Sequence, residues 1–447
     1  MKKALIITYY WPPSGGSGVQ RWLKFAKYLP QYGWEPIIYT PENPELSSSD
    51  NSLFEDIAPE LQVIKRKITE PYSYYKLLTG KKEIKANLLS SPKQGGGFSA
   101  YIRGNFFIPD PRCWWVRPSV RFLKKWLKEN PVDAIISTGP PHSMHLIARE
   151  LHKATQIPWV ADFRDPWTGL FYFKHLRLNK HSLRKHKRLE FSVVDEADRV
   201  VVVSPQMKQD FASILQNGRI ESIDDSKIRI ITNGFDPDDF SKEKKQELSC
   251  LVEDVKKLTE GKFVVVHTGL LPDNANPELF WKALGKSGIG DKLFIATMGQ
   301  TDGGARKCVE EEGMSDNFHD FGYVSHMTSI AWQKRANLLL LPLRKEKEAT
   351  AILTGKFFEY IASFNETGIS KRIIAVGPVR SDLGDALRET CCGDIFEYAD
   401  ESGMAKAITE AYNDFRTGRY AGMPDADKYS RVNLTALMAN LLDEMIS

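Results

Sequence analysis

Short runs of β-branched and other apolar residues alternate with amphipathic stretches along almost the whole chain, and the alternation starts twice. This is the pattern of βαβ units, in which each buried parallel strand is followed by a helix that returns the chain across the sheet. In the first half the runs predict strands at Leu5–Tyr10, Glu35–Tyr39, Ala134–Ser137, Trp159–Asp162, Val200–Val203 and Ile228–Ile231. Helices are expected at Val19–Tyr32, Ser143–Ala154 and Pro205–Leu215. The second series has strands at Phe263–His267, Leu293–Thr297, Leu338–Leu341 and Ile373–Val376, with helices near 277–285, 328–336, 355–363 and 402–415. Two doubly wound sheets suit 447 residues better than one sheet of about a dozen strands. The seam is expected in the Asp/Lys/Glu-rich stretch 236–260, where Asn233–Gly234 and Asp236–Pro237 supply turn chemistry.

Charge divides the chain as well. The formal net charge is only +4, but residues 1–235 hold 35 Lys/Arg against 23 Asp/Glu, a net +12, so residues 236–447 carry −8. Two halves of opposite sign are expected to bind different things. The five cysteines include no CxxC and no even-numbered framework, which points to a reducing cytoplasm. The start, MKKALIITYYWPP, has an apolar run that is short and broken by Pro12–Pro13, and it reads as a buried first strand rather than a secretory signal. No segment approaches the roughly 18 apolar residues that span a bilayer, so membrane contact would be peripheral.

The first strand runs into WPPSGGSGVQRW, with a helix starting near Ser17. Gly16, Ser17 and Gly18 would let the backbone approach a phosphate at a helix N-terminus. A tight β–α turn with no ligand is the alternative. The spacing is not GxGxxG and no acid ends the second strand, which disfavours a dinucleotide oxidoreductase; without a Walker P-loop, nucleotide triphosphate hydrolysis is disfavoured too. Thr354-Gly355-Lys356 opens a later helix with Glu359 one turn in: a Thr cap, a glycine, free N–H groups and a lysine form an anion site.

The succession GGSGVQRW, STGPPHS, WVADFRDPW, VVVSPQM, ITNGFDPDDF, HTGLLPDNANPELF, FGYVSH, NLLLLPL and TGKFFEYIAS resembles the retaining glycosyltransferases of the GT-B type, in particular family four. The variant with DFRDPW and STGPPHS is similar to a bacterial subgroup that builds surface polysaccharides. The resemblance covers essentially the whole chain. It implies an α/β fold of two Rossmann-like, doubly wound parallel-sheet domains facing a cleft. Residues 1–240 would bind the acceptor and 241–424 the nucleotide-diphosphate sugar, with 425–447 a terminal helix crossing back to the first domain. The implied reaction moves a hexosyl group from that donor to a saccharide or lipid-diphosphate-linked acceptor with retention. It needs neither cofactor nor metal, because the leaving phosphate takes the acceptor proton on the same face. The work left to the protein is positioning and charge stabilisation.

The resemblance carries ribose binding to Glu359 and places His142 close to the transferring sugar. Asp162 and Arg164, with Asp165, lie past a strand at the carboxyl edge where ligands bind in open α/β sheets, and would position the acceptor; a structural Arg–Asp loop network is the alternative. Gly269 falls in the donor-side HTG motif. Tyr323 and Val324 would flank the nucleobase or else belong to ordinary core. The chain also departs from the family pattern. Ala351 stands where a second glutamate is common, and Leu270, Asn274 and Asn276 stand where an Arg/Lys pair grips the diphosphate. Arg344 and Lys356 could supply that charge. His142 with His145 suggests a metal pair, but a helix pair without a third ligand is the mark of a structural role. Asp236-Pro-Asp238 is better explained as a helix cap than as a metal-binding carboxylate pair. A non-catalytic nucleotide-sugar binder and a nucleotide-sugar epimerase of the same fold are the rival readings.

One stretch breaks the alternation. Residues 64–128 hold 15 Lys/Arg, 3 Asp/Glu and 11 aromatics, and Lys174–Arg188 adds seven Lys/Arg and three histidines without an acid. Basic and aromatic residues together suit an anionic inner membrane leaflet, a solvated face over buried aromatics being the alternative, and Arg112–Lys128 has an amphipathic helical portion after Pro118 that could serve either the core or a surface. Nucleic acid is disfavoured because no recognition motif accompanies the charge.

Overall fold

The computed structural model describes residues 1–45, 49–70, 98–169, 171–218, 224, 226–241, 246–365, 369–419 and 424–447. The centre of the basic aromatic insert, 71–97, lies outside the described residues. The chain divides into two compact units, Met1–Thr232 with Val432–Ser447, and Asn233–Arg431. The division falls at the Asn233–Gly234 turn. The charged stretch after it is not all linker, because Gln246–Leu258 is a helix with Leu248, Val252 and Val255 buried at helical spacing.

The first unit is built on β1 (Lys2–Ile7), β2 (Trp34–Pro41), β3 (Gln62–Arg66), β4 (Ala134–Gly139), β5 (Trp159–Phe163), β6 (Arg199–Val202) and β7 (Ile228–Ile230). All pairings are parallel, in the order β3-β2-β1-β4-β5-β6-β7. The chain winds outward one way from β1 and then the other way from β4, so the gap between their carboxyl ends is the topological switch point. Alternate residues feed two cores. Leu5, Ile135 and Phe163 face the helices Cys113–Glu129, Ser143–Thr155, Lys180–Glu196 and Pro205–Asn217. Ile6, Ile136 and Val160 face the helix Ser17–Tyr28 and the terminal helix Arg431–Ile446, which packs here through Leu434, Met438 and Leu442. Trp34 Nε1 donates to Asp443 at 2.8 Å, fixing that helix against the first unit.

The second unit repeats the plan with β8 (Phe263–Thr268), β9 (Leu293–Met298), β10 (Phe318–Asp320), β11 (Leu338–Pro342), β12 (Arg372–Val376) and β13 (Gly393–Phe396), in the order β10-β9-β8-β11-β12-β13. Its switch point lies between β8 and β11. The sequence patterns missed β3, β10 and β13. All three are edge strands of three to five residues with half-exposed patterns, so none has the continuous apolar run of a strand buried on both faces.

Asp162 on β5 is wholly buried, and its carboxylate is fully used inside the unit. It accepts from Arg21 Nε (3.1 Å) and Nη2 (2.8 Å), Trp22 Nε1 (2.7 Å) and Thr138 Oγ1 (2.8 Å). Arg21 spends its remaining donors on the carbonyls of Ile231 (2.9 Å) and Thr232 (2.7 Å). Burial pushes the Asp162 carboxyl up, but the charge and hydrogen bonds of Arg21, with those of Trp22 and Thr138, outweigh it and hold it below the usual range. Asp162 is thus the centre of a structural network. Asp162→Ala would strand a buried guanidinium and should cost about 3–5 kcal/mol in urea unfolding. The double variant Arg21→Met, Asp162→Leu should recover part of that loss.

Candidate functional site

At the carboxyl edge of the first sheet, the turn after β1 ends in Gly16, whose φ of 89° is left-handed, and Ser17 opens the helix Ser17–Tyr28. Gly18 is held by packing. A Cβ there would lie 3.0 Å from both Arg164 Nη1 and the Tyr10 ring. Arg164 donates through Nη1 to the Gly18 carbonyl at 2.6 Å and through Nη2 to the Pro140 carbonyl, and its guanidinium lies 5.6 Å from the Tyr10 ring centroid. Arg164 therefore fastens the glycine turn to the end of β4, while Asp165 is exposed. The Arg–Asp loop network describes the bonds that Asp162 and Arg164 make within this unit.

His142 remains as the group with capacity to spare. It is buried, stacked on Trp167 at 4.8 Å and 3°, and neither ring nitrogen has a hydrogen-bond partner among the described residues. Burial, then the neighbouring His145 and Arg164, keep its pKa well below the ordinary value, so the ring is neutral. His145 is used structurally: its Nδ1 lies 2.8 Å from Ser137 Oγ, and burial pushes its pKa to about 3. Among the described residues no set of three potential ligand atoms includes this histidine pair.

Several supporting residues were not singled out from the sequence. Asp110, inside the basic insert, accepts from the Ser143 amide (2.8 Å) and hydroxyl (2.9 Å) and so caps the helix that follows His142. Trp167 donates to His186 Nδ1 (3.1 Å), and Glu190 accepts from the Trp167 and Thr168 amides. His186, in the basic run, and Glu190, just past it, are buried four residues apart on one face of the helix Lys180–Glu196.

In the second unit three adjacent strands each end in a glycine with positive φ: Gly269 after β8 (86°), Gly299 after β9 (117°) and Gly322 after β10 (62°). They are stitched edge to edge, Gly269 N donating to Met298 O and Gly299 N to Gly322 O, each at 2.6 Å. A Cβ on Gly299 would lie 2.5 Å from the Gly269 carbonyl, and one on Gly269 would lie 2.7 Å from Lys356 Cε. The result is a floor of close-packed glycine backbone at the strand ends, with the Lys356 side chain lying against Gly269.

Lys356 lies against that floor, and the charges of Glu359 and Arg344 act on it. Thr354 Oγ1 accepts from the Lys356 amide at 3.1 Å, capping the helix Gly355–Ala362, and Gly355 faces open space. Lys356 Nζ donates to the Leu270 carbonyl at 3.2 Å, and the charge of Arg344, past the end of β11, bears on it. Glu359 is one-third exposed; Gln333 Nε2 donates to its Oε2 at 3.1 Å and His326 Nε2 lies 3.4 Å from its Oε1. Burial pushes its carboxyl up, but His326, Gln333 and Lys356 outweigh that and hold it below the usual range. Tyr360, next in the helix, accepts from the Thr268 amide (3.0 Å) and donates to Leu340 O (3.3 Å), tying the helix to β8 and β11 across the switch point. Tyr323 is 85% exposed, whereas Val324 packs against the core, which is the ordinary-core alternative for that residue. Asn276 is buried, accepting from Trp281 Nε1 (2.9 Å), and Asn274 donates to Glu346 (3.2 Å), so both serve the loop. Asp236 accepts from the Asp238 amide at 3.0 Å, which is a helix cap.

The model of Glycosyltransferase Family 4 matches residues 16–239, half of the chain. The chain belongs to that family. Among curated proteins no sequence match is found. Solved structures place the whole chain on the GT-B fold. One is HepE of Anabaena in complex with UDP, 13% identical over 99% of this chain and 100% of that one, with a TM-score of 0.60. Another is the α,α-trehalose 6-phosphate synthase of Burkholderia multivorans, 13% identical over 99% of each chain, with a TM-score of 0.58. A third is the lipopolysaccharide outer core galactosyltransferase WaaB, 12% identical over 99% of each chain, with a TM-score of 0.54.

The chain is thus a family-four glycosyltransferase, and its Lys356 has a testable titration. Burial pushes the ammonium down to about 8, against the Glu359 carboxylate, which favours the charge. The cation is present below that pH and lost above it. Calorimetry with UDP should show affinity falling between about pH 7 and pH 9; Lys356→Met should bind weakly throughout and lose that pH dependence.

Proposed function

We propose that the chain transfers a hexosyl group from a nucleotide-diphosphate sugar to a saccharide or lipid-linked saccharide acceptor, with retention of anomeric configuration and without a metal ion. The second unit would hold the donor and the first the acceptor. The observation that carries this is the strand-end floor of Gly269, Gly299 and Gly322 beside Lys356, Arg344 and Glu359. Bare backbone and two cations suit a diphosphate whose negative charge grows as the bond to the sugar breaks, and a carboxylate suits a ribose. Lys356 and Arg344 would take the place a divalent ion fills elsewhere. Asp162 and Glu190 are buried and bonded to their own unit, so neither is offered as an enzyme nucleophile. Hexose as the transferred group is supported by the names of the structural relatives, which include UDP with glucose and a galactosyltransferase. We place the reaction in bacterial surface polysaccharide synthesis.

The test is a panel of nucleotide sugars with free and lipid-linked saccharide acceptors. Acceptor-dependent release of nucleoside diphosphate that survives EDTA is expected, and Glu359→Ala should raise the donor KM at least roughly tenfold. Donor binding without turnover across the panel would favour the non-catalytic binder, the reading that Ala351 and Leu270 motivate. Epimerised donor would favour the epimerase.

We further propose that the first unit works in the cytoplasm against an anionic membrane surface. No helix among the described residues is long and apolar enough to cross a membrane. The helix Cys113–Glu129 buries Trp115, Leu123 and Leu127 and leaves Arg117, Arg121, Lys124, Lys125 and Lys128 exposed. Nearby in sequence, Phe106 (69%) and Trp114 (48%) are large apolar groups facing water. Exposed cations with aromatic side chains match a surface of anionic headgroups. The protein should sediment with phosphatidylglycerol vesicles and not with phosphatidylcholine alone. Changing Arg121, Lys124, Lys125 and Lys128 to Gln should weaken that binding roughly a hundredfold. Equal binding to neutral vesicles, or capture by RNA instead, would remove the proposal.

A further inference from the structure

We propose that His326 and Gln333 are positioning residues for Glu359, and that together they give the site its preference for ribonucleotides over 2′-deoxyribonucleotides. The proposal rests on the second unit being the donor site. Its starting point is a hydrogen-bond account of one carboxylate. An ionised carboxylate has about four lone-pair directions, two per oxygen. His326 faces Oε1 at 3.4 Å and Gln333 donates to Oε2 at 3.1 Å, so each oxygen has one neighbour from the helix His326–Arg335. The Glu359 side chain is 33% exposed, which leaves the remaining directions open to a ligand. Two parallel acceptor directions on one rigid carboxylate match the adjacent 2′- and 3′-hydroxyls of a ribose, and a 2′-deoxyribose leaves one of them unpaired.

The arrangement is built rather than incidental. Gln333 is fully buried, and its amide nitrogen also lies 3.2 Å from Ser329 Oγ and 3.5 Å from Thr268 Oγ1, which anchor it to its own helix and to the end of β8. Its Oε1 is buried without a hydrogen-bond partner among the described residues. The two helices that carry the three side chains are clamped by Lys371. Its buried ammonium donates to the carbonyls of Gln333 (2.8 Å), Lys334 (3.0 Å) and Ser363 (2.7 Å), joining the carboxyl end of one helix to that of the other. The titratable groups facing Glu359 come from its own helix, as Lys356, and from the facing helix, as His326; Arg344 acts on Lys356 from beyond β11. A free glutamate at this place would sample several rotamers, and each ribose contact would have to repay that ordering.

The test compares UDP, ADP and GDP with their 2′-deoxy counterparts by calorimetry on the full chain. Wild type should prefer the ribonucleotide by roughly ten- to a hundredfold, the range for a hydrogen bond to a charged group. His326→Leu and Gln333→Met should bring that ratio to within a few fold while the deoxynucleotide still binds. His326→Gln, which keeps an N–H at a similar reach, should retain most of the preference. A purely structural role would weaken both nucleotides alike and leave the ratio unmoved. An unchanged ratio in His326→Leu, with Glu359→Ala still abolishing the preference, would overturn the proposal and leave the donor-site reading standing. If Glu359→Ala also left affinity and ratio untouched, the donor-site reading would fall with it. Since Gln333 is buried and its variant could misfold, thermal melts accompany both variants, and the half-exposed His326 alone decides the outcome.

Discussion

The buried pair of Arg21 and Asp162 organises the first unit. Two opposite charges taken out of water keep their place only when nearly every lone pair and N–H is satisfied, and here they are. The network joins the helix after β1 to β4, β5 and the chain leaving β7, four pieces distant in sequence. Such a pair adds little net stability over a well-packed apolar alternative, but it permits one arrangement only. It therefore sets where the glycine turn ends and where Arg164 and His142, on the loops following β5 and β4, come to lie.

The two units use the same edge of the same sheet plan in opposite ways. In the first, the switch point is filled by the unit's own side chains: Arg164 on the Gly18 and Pro140 carbonyls, Asp110 on the Ser143 amide. Among the described residues, both ring nitrogens of His142 on its Trp167 platform remain unsatisfied there, as do His145 Nε2 and Arg164 Nε. In the second, glycine backbone forms the strand ends, with the Lys356 side chain lying against Gly269. One edge can offer a buried neutral imidazole and the other a charged floor, which is the division a sugar and a nucleotide diphosphate would need.

Chemistry written into contiguous residues was legible beforehand. Thr354, Gly355, Lys356 and Glu359 lie within six positions, and the Thr cap, the open glycine and the lysine occur as the motif predicts. The interior strands were legible because burial on both faces demands an unbroken apolar run. The edge strands β3, β10 and β13 were not, since one side faces water and the pattern dissolves. The amphipathic portion after Pro118 was legible and belongs to the helix Cys113–Glu129, whereas Lys180–Glu196 was obscured by its charge, although it buries a stripe at helical spacing.

Sequence alone determined the doubly wound plan and the Thr354 cap of the helix that carries Lys356 and Glu359, because each depends on residues that are neighbours in the chain; the seam expected in 236–260 falls a few residues earlier, after Thr232. Tertiary structure decided the partners. Nothing in WVADFRDPW says that Asp162 will be consumed by Arg21, 141 positions away, or that Trp167 will stack on His142. Nothing in FGYVSH says that His326 will face Glu359 across two helices that Lys371 clamps together. A side chain's role depends on which of its hydrogen-bonding directions remain open, and that count is made only when distant segments meet.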